Sequence, residues 1–243
     1  TRFHHALGAM HLMQKAISTL KSKGNEITFD EEQAVLIAIL LHDVGHGPFS
    51  HALEHSIVSG ISHENISMLI MDKLNDEFKG KLSLAIKIFR NEYSKAFLHQ
   101  LISSQLDVDR LDYLKRDSFY SGVSEGIINS DRIISMLNVS NGNLVVDAKA
   151  IYSIEKFIIA RRLMYWQVYL HKTVLSAELN MVEALKRAKK LVKNGVDIFS
   201  TSALREFLQN NHSLEDFNIN PKLLGLFCQL DDIDIMSSIK EWT

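Results

Sequence analysis

A histidine and an aspartate stand side by side at the end of an apolar stretch, at His42 and Asp43. The stretch covers residues 34–41 and is apolar on every side, so we expect it to be a buried helix. A buried imidazole and a buried carboxylate must each find a polar partner. Metal ligation provides one, because both groups are ordinary ligands of first-row divalent ions. A hydrogen-bonded His–Asp pair at a helix end is the alternative.

More ligand-type side chains accompany this pair. His46 lies four residues after His42, which is one helical turn along the same face if the helix continues. The other candidates are imidazoles and carboxylates elsewhere in the chain, namely His5, His51, His63, Asp107 and Asp109. The chain has 11 histidines, several of them next to a glycine or an acid. This pattern favours a ligand-rich site over histidines that are simply satisfied in a core.

The segments that carry these residues resemble, in their order along the chain, the HD-domain phosphohydrolases. Within that family they are most similar to the deoxynucleoside triphosphate triphosphohydrolases, including those with an added SAM domain. The matching segments are residues 1–8, 42–51, 62–64 and 106–117, and the resemblance extends to Lys172. Their joint occurrence in this order is far more specific than a His–Asp pair alone.

The resemblance implies one divalent metal ion per site, which the ligand types allow to be Mn, Fe, Mg or Zn. A further Mg ion could accompany the triphosphate. In the family, the ligand histidine directly precedes a small residue that is followed by Leu and Gly. His5 occupies this position before Ala6-Leu7-Gly8, so we prefer it to its neighbour His4. The implied ligands are His5, His42, Asp43 and Asp109.

The resemblance also implies the substrate contacts. The triphosphate would be met by Arg2, His51, Arg110 and Arg161, and the sugar and base by Tyr113, Asp117 and Tyr169. Independently of the family, Asp109, Tyr113 and Asp117 are spaced i, i+4 and i+8, so one helical face could present all three. Leu170 stands where some relatives carry a base-contacting Gln, so no base preference is predicted. Asp107 and Asp112 are interpreted as solvated or capping acids.

The expected reaction is hydrolysis of a deoxynucleoside triphosphate to deoxynucleoside and inorganic triphosphate. Water activated by the metal would attack the α-phosphorus, and basic side chains would stabilise the charge on the phosphate oxygens. His63 is the expected proton donor to the 5′ oxygen, oriented by Glu54. His46 would position the water or the phosphate.

Two alternatives remain open. One is an HD-type hydrolase of another phosphate ester, a nucleotidase or a phosphodiesterase. The 109–117 motif and Arg161 favour a triphosphate over it, because monoesters need fewer cations. The other is a catalytically silent nucleotide-binding regulatory module, although every expected metal ligand is present.

Most of the chain shows the apolar spacing of helices, and these helices must position the candidate site residues. They cover 7–21, the stretch from a capping box at Thr28 and Glu31 to Asp43, 62–78, 100–116 and 151–193, with a further helix near His51. Residues 141–146 resemble a short hairpin. We therefore predict an all-α fold, a mainly helical HD-domain fold with a minor β-hairpin. The HD phosphohydrolase domain would cover 1–193, and 194–243 would be an incomplete C-terminal helical extension.

Charge and composition limit the partners. The net charge of −2 argues against general nucleic-acid binding, which needs an excess of Lys and Arg. The single cysteine, Cys228, suits a reducing compartment. Apolar runs fall short of the roughly 18 residues of a membrane span, so a cytoplasmic location without membrane association is expected. The resemblance implies a homo-oligomer, dimer or tetramer, with an activating nucleotide.

Overall fold

A computed structural model describes residues 1–50, 56–58 and 60–242 of the chain. These residues are mainly helical and contain a two-stranded antiparallel sheet, which confirms the predicted all-α fold with a minor β-hairpin. Across the described ranges, every helix is too short or not apolar enough to cross a membrane.

We number the helices in chain order over the described residues. The first seven are α1 (Arg2–Ser22), α2 (Phe29–Leu41), α3 (His63–Glu77), α4 (Ser83–Phe89), α5 (Ala96–Ile102), α6 (Val108–Ser121) and α7 (Ser130–Ser135). The next six are α8 (Ile151–Met164), α9 (Lys172–Lys193), α10 (Ser202–Gln209), α11 (Leu214–Ile219), α12 (Pro221–Phe227) and α13 (Asp232–Glu241). Single 3-10 turns occur at Ser124–Gly126 and Ala148–Ala150, and a π turn at Tyr165–Tyr169.

The predicted hairpin is formed by β1 (Leu137–Ser140) and β2 (Asn143–Val146). The loop between them is Asn141-Gly142, with φ angles of 50° and 77°. Two consecutive positive φ values match the twist of the flanking strands, and Asn-Gly is the dipeptide that adopts them most readily. Local turn chemistry therefore fixes this register.

The predicted capping box at the start of α2 is present. The Thr28 hydroxyl accepts from the Glu31 amide, and a Glu31 carboxylate oxygen accepts from the Thr28 amide at 2.8 Å. The helix continues to Leu41, and His42 is its C-cap. This arrangement places the His–Asp pair at the end of a helix whose inner face is buried.

Two predicted helices are each divided. The predicted helix over 100–116 is wrong in its middle, because α5 ends at Ile102 and α6 begins at Val108. Asp107 is the N-cap of α6: its carboxylate accepts from the amides of Arg110 and Ser104, both at 2.8 Å. The predicted helix over 151–193 is interrupted by the π turn. The helix expected near His51 lies outside the described residues.

The chain forms two compact units, each with its own core. The first unit comprises 1–43 and 71–171, and α1, α2, α5 and α6 contribute much of its buried apolar cluster. The second unit comprises 44–70 and 172–243, with its core on α9, α10 and α12. These units follow from contacts between residues, whereas the expected boundary after residue 193 separates a family domain from an extension. That boundary therefore stays a prediction.

Glu31 also links α2 to the segment before α5. It is 3% exposed, accepts from Lys95 Nζ at 2.8 Å and from the Tyr93 hydroxyl at 2.7 Å. Burial alone would raise the pKa of this carboxyl, but the bonds from Lys95, the Thr28 amide and Tyr93 outweigh it and lower the pKa to about 2. The charged form is therefore the one that the fold stabilises.

We expect Glu31→Gln to lower the free energy of unfolding at pH 7 by about 2 kcal/mol. Because the folded-state pKa is depressed, the stabilisation is present above the unfolded value near 4.5 and is lost as pH falls towards about 2. Urea unfolding at pH 7, 5, 4 and 3 measures this. Glu32→Gln, which removes a more exposed pair with Lys21, is the control and should cost under about 1 kcal/mol. An unchanged pH dependence in Glu31→Gln would contradict the assignment.

Candidate functional site

Three helices of the first unit bring two imidazoles and a carboxylate together. His5 lies on α1, His42 caps α2, and Asp109 lies in the first turn of α6. Asp109 Oδ1 is 3.0 Å from His5 Nε2 and 3.4 Å from His42 Nε2. One ligand atom from each residue lies within 4.8 Å of the other two. Nitrogen and oxygen donors converging in this way suit a first-row divalent ion.

The second nitrogen of each imidazole is already engaged. His5 Nδ1 is 2.7 Å from Asp112 Oδ2, and His42 Nδ1 is 2.6 Å from the Ile39 carbonyl oxygen. Both partners are acceptors, so each Nδ1 carries the proton and, in the neutral ring, each Nε2 offers its lone pair to the cluster. The residues present therefore fit a metal ion on chemical grounds.

The protonation of the cluster reflects the same geometry. Burial would lower the pKa of His5, but hydrogen bonds and charges from Asp109 and Asp112 raise it to about 9. Burial would raise the pKa of Asp109, but His42 and His5 lower it to about 2. The environment thus strongly favours positive charge between these side chains, which is where a cation would lie.

Asp43 and Arg2 lie beside the cluster. Asp43 Oδ1 is 3.4 Å from His42 Nε2, and Arg2 Nη1 donates to Asp43 Oδ2 at 3.2 Å. Asp43 is thus next to His42, and its role as a fourth ligand stays a prediction. His4 is exposed and its amide donates to the Thr1 hydroxyl at 3.4 Å, so His5 is the imidazole that faces the cluster.

Asp112 has a role that the sequence interpretation missed. It is 9% exposed, accepts from His5, and forms a two-pronged pair with Arg116, whose Nε and Nη2 donate at 2.8 and 2.9 Å. The interpretation of Asp112 as a solvated or capping acid is wrong, whereas Asp107 does cap α6. Spacing offered a signal, because Asp112 lies three residues after Asp109 and four before Arg116, on neighbouring positions of one helix face.

Gly8, one turn after His5 on α1, makes room for this pair. A Cβ atom at Gly8 would overlap Asp112 Oδ1 and Arg116 Nη2. The absence of a side chain at this position is therefore what allows α1 and α6 to approach around the His5–Asp112 contact.

We expect Gly8→Ala to destabilise the protein by about 1–3 kcal/mol through overpacking, although alanine is the better helix former. The displaced Asp112 should also weaken metal binding. Gly225→Ala on α12 is the matched control, because a Cβ there meets nothing within 4 Å. Thermal unfolding and metal titration compare the two. Equal stability and metal affinity in both variants would show that the space at Gly8 is not needed.

A polar and aromatic group continues along α6. The Tyr169 hydroxyl donates to Asp117 Oδ2 at 2.5 Å, and the Tyr113 and Tyr169 rings meet edge to face at 6.2 Å. Arg161 lies over the Tyr165 ring, with Cζ 5.7 Å from its centroid. Burial raises the pKa of Tyr113 to about 12, so its phenol remains protonated. The structure thus brings together the residues expected around the sugar.

Arg110 is held at the beginning of α6. Its Nη1 donates to Asp107 Oδ2 and to the Ser104 carbonyl, while its buried Nε has no hydrogen-bond partner among the described residues. Arg110 therefore stabilises the N-terminus of its own helix through Nη1, and its Nε is a candidate donor to a ligand. Its predicted phosphate contact stays a prediction.

The remaining predicted residues lie in the second unit or outside the described part. In the second unit, the rings of His46 and His63 stack with centroids 3.8 Å apart and planes 11° apart. The Gly45 amide donates to Ser67 Oγ at 2.9 Å, which ties the segment before His46 to α3. His51 and Glu54 lie outside the described residues.

Two family models match the chain in succession. The HD domain matches residues 2–117, and the HD associated region matches 128–207. The first range contains His5, His42, Asp43 and Asp109. The chain belongs to the HD-domain phosphohydrolase family.

Individual relatives are similar to the chain over most of its length. A crystal structure of a phosphohydrolase from Bacteroides thetaiotaomicron is 58% identical, with a TM-score of 0.96, over 100% of this chain and 60% of its own. The uncharacterized protein YwfO of Bacillus subtilis is 32% identical, over 89% of this chain and 52% of its own. The deoxynucleoside triphosphate triphosphohydrolase SAMHD1 homolog of Dictyostelium discoideum is 32% identical, over 79% of this chain and 41% of its own. This HD-domain chain spans about half the length of the curated relatives it matches.

Proposed function

We propose that the protein is a metal-dependent phosphohydrolase whose substrates are deoxynucleoside triphosphates. The observation that carries the proposal is the cluster of His5, His42 and Asp109, with both imidazole Nδ1 atoms engaged by acceptors. Similarity to the Dictyostelium discoideum triphosphohydrolase supports the choice of substrate. The products would be deoxynucleoside and inorganic triphosphate.

His5, His42 and Asp109 would hold the metal, with Asp43 as the fourth protein ligand. When bound, a divalent ion supplies Lewis-acid polarisation of a phosphate oxygen and makes water a better nucleophile at neutral pH. Ligand chemistry leaves Mn, Fe, Mg and Zn as candidates.

Cationic side chains of the chain would neutralise the rest of the triphosphate. Arg2 lies against Asp43 at the edge of the cluster, and Arg161 lies close to Tyr165 and Tyr113, which raise its pKa against the effect of burial. Arg110 would contribute its Nε, which has no hydrogen-bond partner in the part of the chain that the structure describes, and His51 is a further candidate. A guanidinium group binds phosphate oxygens with two parallel donors, which also fixes their orientation.

The proposed hydrolysis requires a proton donor for the leaving 5′ oxygen. Water forms a new bond to the α-phosphorus, the bond from that phosphorus to the 5′ oxygen breaks, and the 5′ oxygen takes up a proton. We assign His63 as the donor, with Glu54 orienting it, and His46 as the residue that positions water or phosphate. The close stacking of the His46 and His63 rings supports a shared role.

Sugar selection is assigned to the face of α6 beyond Asp109. Tyr113 would occupy the space of a 2′ hydroxyl, and Asp117 would accept from the 3′ hydroxyl. Tyr169 already fixes Asp117 through its own hydrogen bond, which leaves the second carboxylate oxygen for the sugar. Equal turnover of dGTP and GTP would exclude this part of the proposal.

Product analysis in ¹⁸O-labelled water tests the reaction. The metal-loaded protein is incubated with each dNTP, alone and in mixtures, and products are separated by chromatography. Deoxynucleoside plus triphosphate, with the label in triphosphate, is expected. Label in the deoxynucleoside would contradict attack at phosphorus. Release of pyrophosphate would show cleavage of the anhydride bond between the α- and β-phosphates and would contradict the proposed reaction. Turnover of monophosphates or cyclic nucleotides only would favour a hydrolase of another phosphate ester, and binding without turnover would favour a regulatory module.

An oligomer with nucleotide activation is also proposed. Exposed apolar side chains lie along α8 and the following turn, at Ile151, Tyr152, Ile158, Ile159 and Trp166. Apolar area of this kind often marks contact between chains. Light scattering with and without dNTP mixtures tests both points, and a monomer under all conditions would contradict them.

A further inference from the structure

Four lysines share one face of α9 in the second unit. They lie at i, i+3, i+4 and i+7, which places them on neighbouring positions of the helix surface, and they are Lys186, Lys189, Lys190 and Lys193. Together with Ser56 and Asn194 they line a cavity of about 310 Å³. The lining residues that the structure describes thus carry four ammonium groups and no carboxylate.

Lys189 belongs to the buried side of this face. It is 8% exposed and lies next to Leu185 and Ala188 on the part of α9 that packs in the core. Its Nζ donates to the Ile57 carbonyl, which uses one of the three donors of an ammonium group. Burial and the nearby charge of Lys193 lower its pKa to about 8. Placing a cation here costs free energy that a fully exposed lysine would not cost.

A simpler explanation covers only part of the group. Cations in the last turn of a helix interact favourably with its dipole, and this accounts for Lys190 and Lys193. It does not account for Lys189, which faces inward. Lys186 pairs with Glu183 at 3.1 Å and Lys193 donates to Asn211 at 3.0 Å, but exposed contacts of this strength are worth little and exchange readily.

We propose that the cavity lined by these four lysines binds a small multivalent phosphate anion. From Lys186 to Lys193 the helix rises by about 10 Å, which suits a chain of phosphate groups better than a single one. Lysine binds phosphate as a compact point charge, while Ser56 and Asn194 add polar groups to the lining. Inorganic polyphosphate and the phosphate chain of a nucleotide share this chemistry. The proposal does not depend on the catalytic activity proposed above.

Calorimetric titration of the full chain with inorganic tripolyphosphate tests the proposal. The protein is first stripped of metal with EDTA and then dialysed, so that metal at His5, His42 and Asp109 does not contribute. We expect binding that weakens as salt rises. The double variant Lys190→Gln/Lys193→Gln should lower the affinity at least about tenfold, equivalent to about 1.4 kcal/mol. Both side chains are exposed, so folding should be preserved. Arg187→Gln, on the same helix but outside the lining, is the matched control and should bind like the parent.

Further variants separate the outcomes. Lys189→Met keeps the length of the buried side chain and removes its charge, so it should also bind more weakly. Arg161→Gln, in the proposed substrate site, should leave the loss of affinity caused by the lysine substitutions unchanged, because Arg161 does not line the cavity. Parental affinity in both lysine variants would overturn the proposal. Competition by dATP would support the proposal and show that the phosphate chain of a nucleotide also binds to these lysines. A single-stranded oligonucleotide that binds these lysines more tightly than tripolyphosphate would overturn the small-anion assignment.

Discussion

Replacement of Asp109 by asparagine is expected to remove bound metal and to reduce turnover by about 10³-fold. The Asp109 carboxylate lies within 3.4 Å of the Nε2 atoms of both His5 and His42, so it is the anionic member of the cluster. An amide of the same shape lacks the negative charge that a divalent ion requires from this position. Metal content after dialysis, measured by mass spectrometry, gives a readout that is independent of activity.

Asp131→Asn is the matched control for Asp109→Asn. Asp131 is exposed and pairs with Lys15 in the same unit, so its loss should leave metal content and turnover unchanged. Retention of a full equivalent of metal by Asp109→Asn would contradict the assignment of the cluster. Loss of metal without any phosphohydrolase activity in the parent would support the cluster and count against the proposed reaction.

Asp112→Asn is expected to weaken metal binding about 10–100-fold. Asp112 holds the Nδ1 proton of His5 at 2.7 Å, and its charge makes the opposite nitrogen a better ligand. Asparagine preserves the shape and an acceptor but removes that charge. Titration of the metal-free protein with Mn or Zn measures the affinity, and nitrogen-detected NMR of the His5 ring reports whether Nδ1 remains protonated.

Arg116→Gln separates positioning from general stability. It removes the two-pronged pair with Asp112 but keeps the carboxylate against His5. We expect it to lower stability by about 1–3 kcal/mol with a smaller effect on metal affinity than Asp112→Asn has. If Asp112→Asn lowered only stability and left metal affinity at the parental value, Asp112 would be a structural residue and no more.

The elements that follow from local chemistry were predictable. The Asn141-Gly142 turn and the Thr28–Glu31 capping box each depend on side chains within a few residues of one another, and both are present. The division of the predicted 100–116 helix was missed because apolar spacing continues across it. The acid that starts α6, Asp107, was visible in the sequence, but its hydrogen bond back to Ser104 depends on the folded loop.

The site shows the same contrast. His5, His42 and Asp109 were named from the sequence because their order matches a family pattern, and the structure places them within reach of one ion. Asp112 was misinterpreted because sequence cannot show which acid reaches His5 across two helices. Lys189 was equally hidden, since a lysine row at helical spacing is usually solvated and only packing shows that one member faces the core.

The Asp107 cap fixes the position of the N-terminus of α6, and with it the positions of the side chains farther along that helix. Asp109, Tyr113 and Asp117 lie on one helix, so the proposed metal site and the proposed sugar site would keep a fixed separation. Under the proposed function, a shift of α6 that made room for a bulkier sugar would also move the Asp109 carboxylate away from His5 and His42. New substrate preferences in such a protein would therefore arise by exchange of single side chains on α6, or of Tyr169 opposite it, while the helix itself stays in place.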